Sequence, residues 1–195
     1  GVFLLVREHV LLPDPDFVMP ETPAPTPEPT PEPTPAPGET PVPTPSPTPY
    51  VRPVPVRISF VEAKQSCEVF PGGVLENGQM EVIDRADAAT WLENVSGSLR
   101  PAPGEEGNAI IAGHKSKAGV AGTFKVLWDA KAGDAVVIDY EDGTQGWFYI
   151  DSIDRYPYQD VPASVMSANA ESPQLTLITC IGEWDSSGGT SSERL

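Results

Sequence analysis

The chain has 195 residues, 24 of them proline, and a formal charge of −16. A chain this acidic, with no cluster of Lys or Arg, lacks the basic face that phosphate binding demands, so nucleic-acid partners are excluded. Its two cysteines, Cys67 and Cys180, and two histidines, His9 and His114, cannot build a tetrahedral Cys/His zinc site in one domain, because His9 lies beyond a proline-rich stretch.

In chain order, the first feature is the apolar run Val2 to Val6, far too short to cross a bilayer. Within the stub 1–19 it reads either as a tail or as the outer end of a transmembrane or signal anchor, and the proline-rich segment after it favours the anchor. From Pro20 to Pro49, within the stalk expected over 20–55, proline alternates with Thr, Ala, Glu and Val. Proline at every second position removes backbone donors and fixes φ, which denies both helix and sheet. Such a segment is an extended rod of about 3.1 Å per residue, on the order of 90 Å in all. A Pro/Thr rod after an apolar stub reads as a stalk that lifts a domain away from a membrane.

Residues 56–195 have a different texture: short apolar runs between turn residues. Strands are expected at Val56–Phe60, Gln79–Ile83, Asn108–Gly113, Ala135–Tyr140, Gly146–Tyr156 and Leu175–Cys180. Asp142-Gly143 supplies a hairpin turn. Two short helices are expected, Arg85–Glu93 behind Asp84 and Val161–Ala168 with Asp160 as cap and Pro162 in the first turn. Many short strands with few helices define an all-β domain, a closed barrel or a sandwich.

Three residues carry chemistry. His114 ends the apolar strand Asn108-Ala109-Ile110-Ile111-Ala112-Gly113, which puts its imidazole at a sheet rim. Cys180 ends Leu175-Thr176-Leu177-Ile178-Thr179, with Thr176, Ile178 and Cys180 on one face and Leu175, Leu177 and Thr179 on the other. Taken singly, such a His is more often structural and such a Cys more often core. If the chain from Arg194 pairs antiparallel to Leu175–Cys180, the intervening loop Ile181–Glu193 returns Arg194 opposite Cys180, with Cβ atoms about 5 Å apart. A guanidinium beside a thiol can hold an oxyanion. A disulfide between Cys67 and Cys180 is arithmetically open. If Cys180 is a nucleophile, it stays free, and Cys67 is a small buried hydrophobe.

The run Thr176-Leu177-Ile178-Thr179-Cys180 resembles the TLxTC signature of sortases. Asn108 to His114 is similar to that family's N-x-x-I-x-G-H segment, and Pro103-Gly104 to Asn108 to its PGxxGN lead-in. Gly122-Thr123-Phe124 to Leu127, then Ala132-Gly133-Asp134, resembles the F-x-x-L…GD stretch that comes after the family histidine. The resemblance covers roughly Arg57 to Leu195 and is nearest to the class D, E or F enzymes. It departs from many relatives before the histidine, where Val82-Ile83-Asp84 and Thr90-Trp91-Leu92 stand in place of a V-P…G-W-Y stretch.

The resemblance implies a closed, eight-stranded β-barrel with one or two short helices, and a further piece of final strand beyond the arginine. It implies a cysteine transpeptidase with Cys180 as nucleophile, His114 as acid/base and Arg194 as oxyanion binder. Thr179 and Thr176 would assist at the substrate, and Val161, Val165 and Trp184 would line its groove. The partners implied are a protein bearing an LPxTG- or LAxTG-like sorting signal and an amine of a peptidoglycan precursor or pilin. The location implied is the outer face of a bacterial membrane, and neither metal nor organic cofactor is called for. Two rivals remain at this level. L,D-transpeptidases also pair His with Cys, though in an S-x-G-C-x-R context absent around Cys180; a non-catalytic, stalked sortase-like module is the other.

Overall fold

Where the proline-dense stretch gives way to Val-Arg-Ile-Ser-Phe, backbone donors return and sheet begins. The structure, a computed structural model, describes residues 50–157 and 160–180 in full and the backbone of 2–7, 181–185 and 190–194. Most of the expected stalk lies outside the described residues, but its last part is not stalk: Arg52 pairs with Glu105, Val54 O accepts from Glu141 N–H, and Pro55 pairs with Tyr140 as part of the sheet.

The elements in chain order are β1 (Val2–Arg7), β2 (Pro55–Phe60), β3 (Gln65–Gly72), β4 (Ala88–Leu92), the short pair β5 (Asn94–Val95) and β6 (Ser98–Leu99), and β7 (Asn108–Gly113). A second short pair comes next, β8 (Ser116–Lys117) and β9 (Val120–Ala121), then a 3₁₀ helix η1 (Thr123–Trp128). The chain continues with β10 (Ala135–Tyr140), β11 (Gln145–Tyr149), β12 (Ser152–Pro157), β13 (Gln174–Asp185) and β14 (Thr190–Arg194).

Ten of these strands share one sheet, which runs β11-β10-β2-β3-β4-β7-β13; beyond β13 lie both β1 and β14, each also paired to β12. The mostly-β expectation holds. No ladder joins β11 to β12 among the described residues, so the pairings give a curled open sheet of ten strands where a closed barrel of eight was expected. The curl wraps one core, to which β2 gives Ile58, β4 Trp91, β7 Ile111, β10 Ile138, β11 Phe148 and β13 Leu177, with Phe124 and Leu127 of η1 beside them. A second apolar cluster lies on the opposite face of β4, β7 and β13, built on Leu92, Ile110, Ala112 and Ile178. The period-two alternation read in the sequence therefore has an apolar partner on each side.

Both expected helices are absent. Ala88–Leu92 pairs parallel to β3 and antiparallel to β7, and every residue of it is buried. Two flanking ladders outweigh the modest helix propensity of its alanines. Residues 161–168 form successive i→i−3 turns, Val165 N–H to Pro162 O (3.0 Å) and Met166 N–H to Ala163 O (3.2 Å). Their carbonyls are taken by side chains instead of by a helix: Asn108 Nδ2 donates to Val165 O and Ser167 O, and Arg100 donates to Met166 O. The strand expected at Gln79–Ile83 shrinks to one bridge, Val74 to Met80, although Met80 and Val82 still pack on the second cluster. Gly146–Tyr156 splits into β11 and β12, and Ile181–Glu193 is largely strand where a loop was expected. The run Val2 to Val6, which within the stub 1–19 was expected to be the end of a membrane anchor, lies in strand β1 of the sheet. No helix among the described residues is long and apolar enough to cross a membrane.

Candidate active site

The site is set by two parallel strands. β7 and β13 pair in parallel from Asn108 opposite Gln174 to Ala112 opposite Ile178. Two residues beyond each of these last partners come His114 and Cys180, so the imidazole and the thiol leave neighbouring strands at the same level. Adjacent strands lie about 4.8 Å apart. On the other side of β13, β14 runs antiparallel with Arg194 opposite Cys180. The opposition expected from sequence order is thus found in the backbone register. The side chains of Arg194 and Trp184 lie outside the described residues.

Threonines lock this geometry. Thr179 is buried, and its hydroxyl donates to Gly113 O (2.9 Å), tying the residue before Cys180 to the residue before His114. Thr176 is fully buried, and its hydroxyl donates to Asn108 Oδ1 (2.8 Å). Asn108 in turn holds the 160s turn through its two Nδ2 bonds to Val165 O and Ser167 O (3.0 Å each). Thr176 was expected to bind substrate, but no part of it reaches the surface, and on this geometry it is a fastening. The Thr179 hydroxyl is likewise engaged, which leaves its backbone rather than its side chain near the nucleophile. Val161 and Val165 are half-buried at the edge of the second cluster, on the face that Ile178 shares with Cys180 by strand alternation. Replacing Thr176 by Val should strand Asn108 Oδ1 without its donor, at about 1–3 kcal/mol. The expected fall in Tm is roughly 3–10 °C; an unchanged melting curve would show that the bond contributes nothing.

Two glycines near His114 are there for space. A Cβ on Gly113 would collide with the Phe124 ring, and one on Gly122 would collide with the His114 carbonyl oxygen. The Gly-His and Gly-Thr-Phe segments are therefore one packed unit: Phe124 and Leu127 of η1 lie fully buried beneath the strand that ends at His114. The next residue, Trp128, donates its indole N–H to Cys180 O (3.2 Å), and the ammonium groups of Lys115 and Lys125 stand over its ring at 5.7 and 5.8 Å. Sequence reasoning does not single out Trp128; the only signal is an aromatic residue just beyond the F-x-x-L stretch.

His114 is half-buried, and its Nε2 is buried with no hydrogen-bond partner among the described residues. Burial pulls its pKa below the ordinary 6.5, with help from the Lys117 cation, against a bond to the Ile83 backbone and the charge of Asp84. Lys117 and Asp84 are themselves ion-paired. The imidazole is therefore neutral at pH 7, with one nitrogen left unbonded. Because the unfolded chain binds this proton more readily than the folded one, stability falls as pH drops below about 6.5 and keeps falling until the folded pKa is passed. His114→Gln should flatten the dependence of Tm on pH below 6.5; an unaltered slope would contradict it.

The two cysteines differ sharply. Cys67 is buried in the main core, and burial pushes its thiol up to about 12. Cys180 is half-exposed, and both thiols are free. Among the described residues no group of three or more His, Cys, Asp or Glu side chains is placed to hold a metal ion.

The family model described as Sortase domain matches residues 69–195. Among solved structures, sortase A from Corynebacterium diphtheriae aligns with a TM-score of 0.51 at 24% identity, covering 74% of this chain and 58% of that one. The lid mutant of the same enzyme gives 0.53 at 23% identity, covering 74% and 68%. Sortase C1 from Streptococcus agalactiae gives 0.51 at 19% identity, covering 71% and 62%. At these identities the likeness is one of fold, and the chain spans less than two thirds of the first and third of these proteins. No curated protein sequence is significantly similar to the chain.

Proposed function

Because the chain belongs to the sortase family, we propose that it is a cell-surface cysteine transpeptidase, with Cys180 as nucleophile, His114 as acid/base and Arg194 as the cation that binds the oxyanion. One observation carries this reading: the parallel register of β7 and β13 brings His114 level with Cys180, while β14 sets Arg194 opposite Cys180 from the other side. Membership in the family also removes the L,D-transpeptidase alternative.

Each residue has its own step. The neutral His114 takes the thiol proton as Cys180 sulfur attacks the carbonyl carbon of Thr in an LPxTG-like sorting signal. The tetrahedral oxyanion is held by the Arg194 guanidinium and by backbone N–H groups beside Thr179. The imidazolium then protonates the departing Gly amine, leaving a thioester on Cys180. An amine from a peptidoglycan precursor or pilin attacks that thioester, His114 removes its proton, and the thiol is regenerated. Trp128 fixes the carbonyl of the nucleophile itself. The apolar rim with Val161 and Val165, joined by Trp184, receives the side chains of the signal. The proline-rich segment serves as the stalk only as far as residue 51, because Arg52 pairs with Glu93 and Glu105 and Pro55 opens β2, and the protein works on the outer face of a bacterial membrane.

The test is an assay with an LPxTG-like peptide and hydroxylamine as acceptor. Expected products are the threonine hydroxamate and a free Gly-terminated fragment. Iodoacetamide at pH 7 should alkylate Cys180, leave the buried Cys67 unmodified, and abolish the reaction. Equal labelling of the two thiols, or cleavage that survives alkylation, would contradict the assignment.

A further inference from the structure

The imidazole of His114 touches a segment outside its own strand, and one buried hydroxyl holds that segment in place. Thr90 of β4 lies opposite Ala112 of β7, two residues before His114. Alternation puts its side chain on the face of Leu92 and Ala112, which is also the face of Ile178 and so of Cys180. Thr90 is 2% exposed, and its Oγ1 accepts from Ile83 N–H (2.8 Å). A Cβ on Gly72 of β3 would collide with the Thr90 methyl, so the methyl fills that space and the hydroxyl is left for Ile83.

Ile83 in turn bonds to the imidazole through its backbone, in a sense that favours the charged ring. Such a bond has the ring donating, and the Ile83 carbonyl is the acceptor, since its N–H is given to Thr90. His114 Nε2 has no partner among the described residues, so the donor is Nδ1. The same carbonyl accepts from Arg85 N–H (2.8 Å), which closes a tight turn and aims it. Residues 83–86 are also pinned on either side. Asp84 is ion-paired with Lys117 of β8, and Ala86 O accepts from Thr123 N–H (2.9 Å) at the start of η1. A neutral imidazole has one donor and one acceptor nitrogen, and the bond made by one decides the state of the other.

We propose that Thr90 is a positioning residue: by holding Ile83, it keeps the ring proton of His114 on Nδ1 and leaves Nε2 as the free base at the level of Cys180. The tautomer stands apart from the functional reading; its effect on turnover rests on that reading. Without the hydroxyl, Ile83 N–H loses its acceptor and its carbonyl is no longer held to the ring. Free neutral imidazole favours the proton on Nε2, where it would block the nitrogen that must take the thiol proton.

Nitrogen-15 NMR of the full chain carrying His9→Gln and Cys180→Ala tests this, because His114 is then its one histidine. At about pH 8, above the ordinary histidine range, Nδ1 should show the shift of a protonated nitrogen and Nε2 that of a bare one. The reverse pattern would overturn the proposal, whether or not any Thr90 variant folds. Thr90→Val keeps the shape and removes the acceptor, and should move the ring toward the Nε2–H form. Thr90→Ser should restore Nδ1–H. With Cys180 in place, Thr90→Val should lower kcat by at least about 10-fold with KM little changed, and Thr90→Ser should recover most of it. A Thr90→Val protein that keeps Nδ1–H, or keeps the parental kcat, would overturn the role of Thr90. A parent chain without peptide turnover that still loses Nδ1–H in Thr90→Val and regains it in Thr90→Ser supports the positioning and counts against the functional reading alone.

Discussion

Cys180→Ala is expected to leave no measurable transpeptidation of an LPxTG-like peptide, and His114→Ala to lower the rate by roughly 10⁴-fold or more. In the proposed mechanism the thiol forms the only covalent intermediate, and the other cysteine cannot replace it: Cys67 is buried in the main core with its thiol pushed up to about 12. His114 has no imidazole substitute among residues 50–180, and expelling an amine without a proton donor is slow. Because the two residues act on the same proton, their effects should not add: the double variant should be no worse than Cys180→Ala. Circular dichroism and Tm of both variants should match the parent, since neither side chain belongs to the main core. Full turnover by Cys180→Ala would end the transpeptidase reading.

Arg194→Ala should cost about 10²–10³-fold in kcat/KM, or roughly 3–4 kcal/mol, the usual effect of removing one preorganised donor to an oxyanion. Backbone register is the ground for this: directly opposed residues on antiparallel strands bring their Cβ atoms within about 5 Å, and Arg194 stands opposite Cys180. Arg194→Lys should recover only part of the loss, because an ammonium keeps the charge but lacks the planar fork. The split between constants matters. An oxyanion contact made in the transition state lowers kcat with KM little changed, whereas a residue that only grips substrate raises KM. An Arg194→Ala enzyme with parental kcat would remove Arg194 from the chemistry.

Much of this site is legible in the sequence, for local reasons. Asn108–Gly113 and Ala135–Tyr140 are continuous apolar runs bounded by turn residues, and both strands fall where they are expected. Alternation along Leu175–Cys180 predicts the two faces of β13, and Leu177 and Ile178 do lie in different apolar clusters. Where expectation fails, tertiary partners decide. Ala88-Ala89-Thr90-Trp91-Leu92 looks helical until it is flanked by β3 and β7. Residues 161–168 carry a sound N-terminal cap signal, yet Asn108 and Arg100 take the carbonyls a helix would need. Strand β3 has a readable alternation, with Cys67 and Val69 buried and Ser66 and Glu68 exposed, but its polar start hides it beside the stronger apolar runs. The buried fastening made by Thr176 and Asn108 cannot be read at all, since it joins residues 68 apart.

The parallel pairing of β7 with β13 has a consequence in time as well as in space. Thr179 meets Gly113 across 66 residues of chain, and no short turn can preassemble that contact. Loop-closure entropy must be met before such a pairing returns any stabilisation, so long-range parallel ladders form late in folding. The strands β10, β11 and β12 lie between the two partners along the chain, so bringing His114 level with Cys180 depends on a contact that no local segment can supply. On the proposed reading, the thiol gains its acid/base only when that long-range ladder closes.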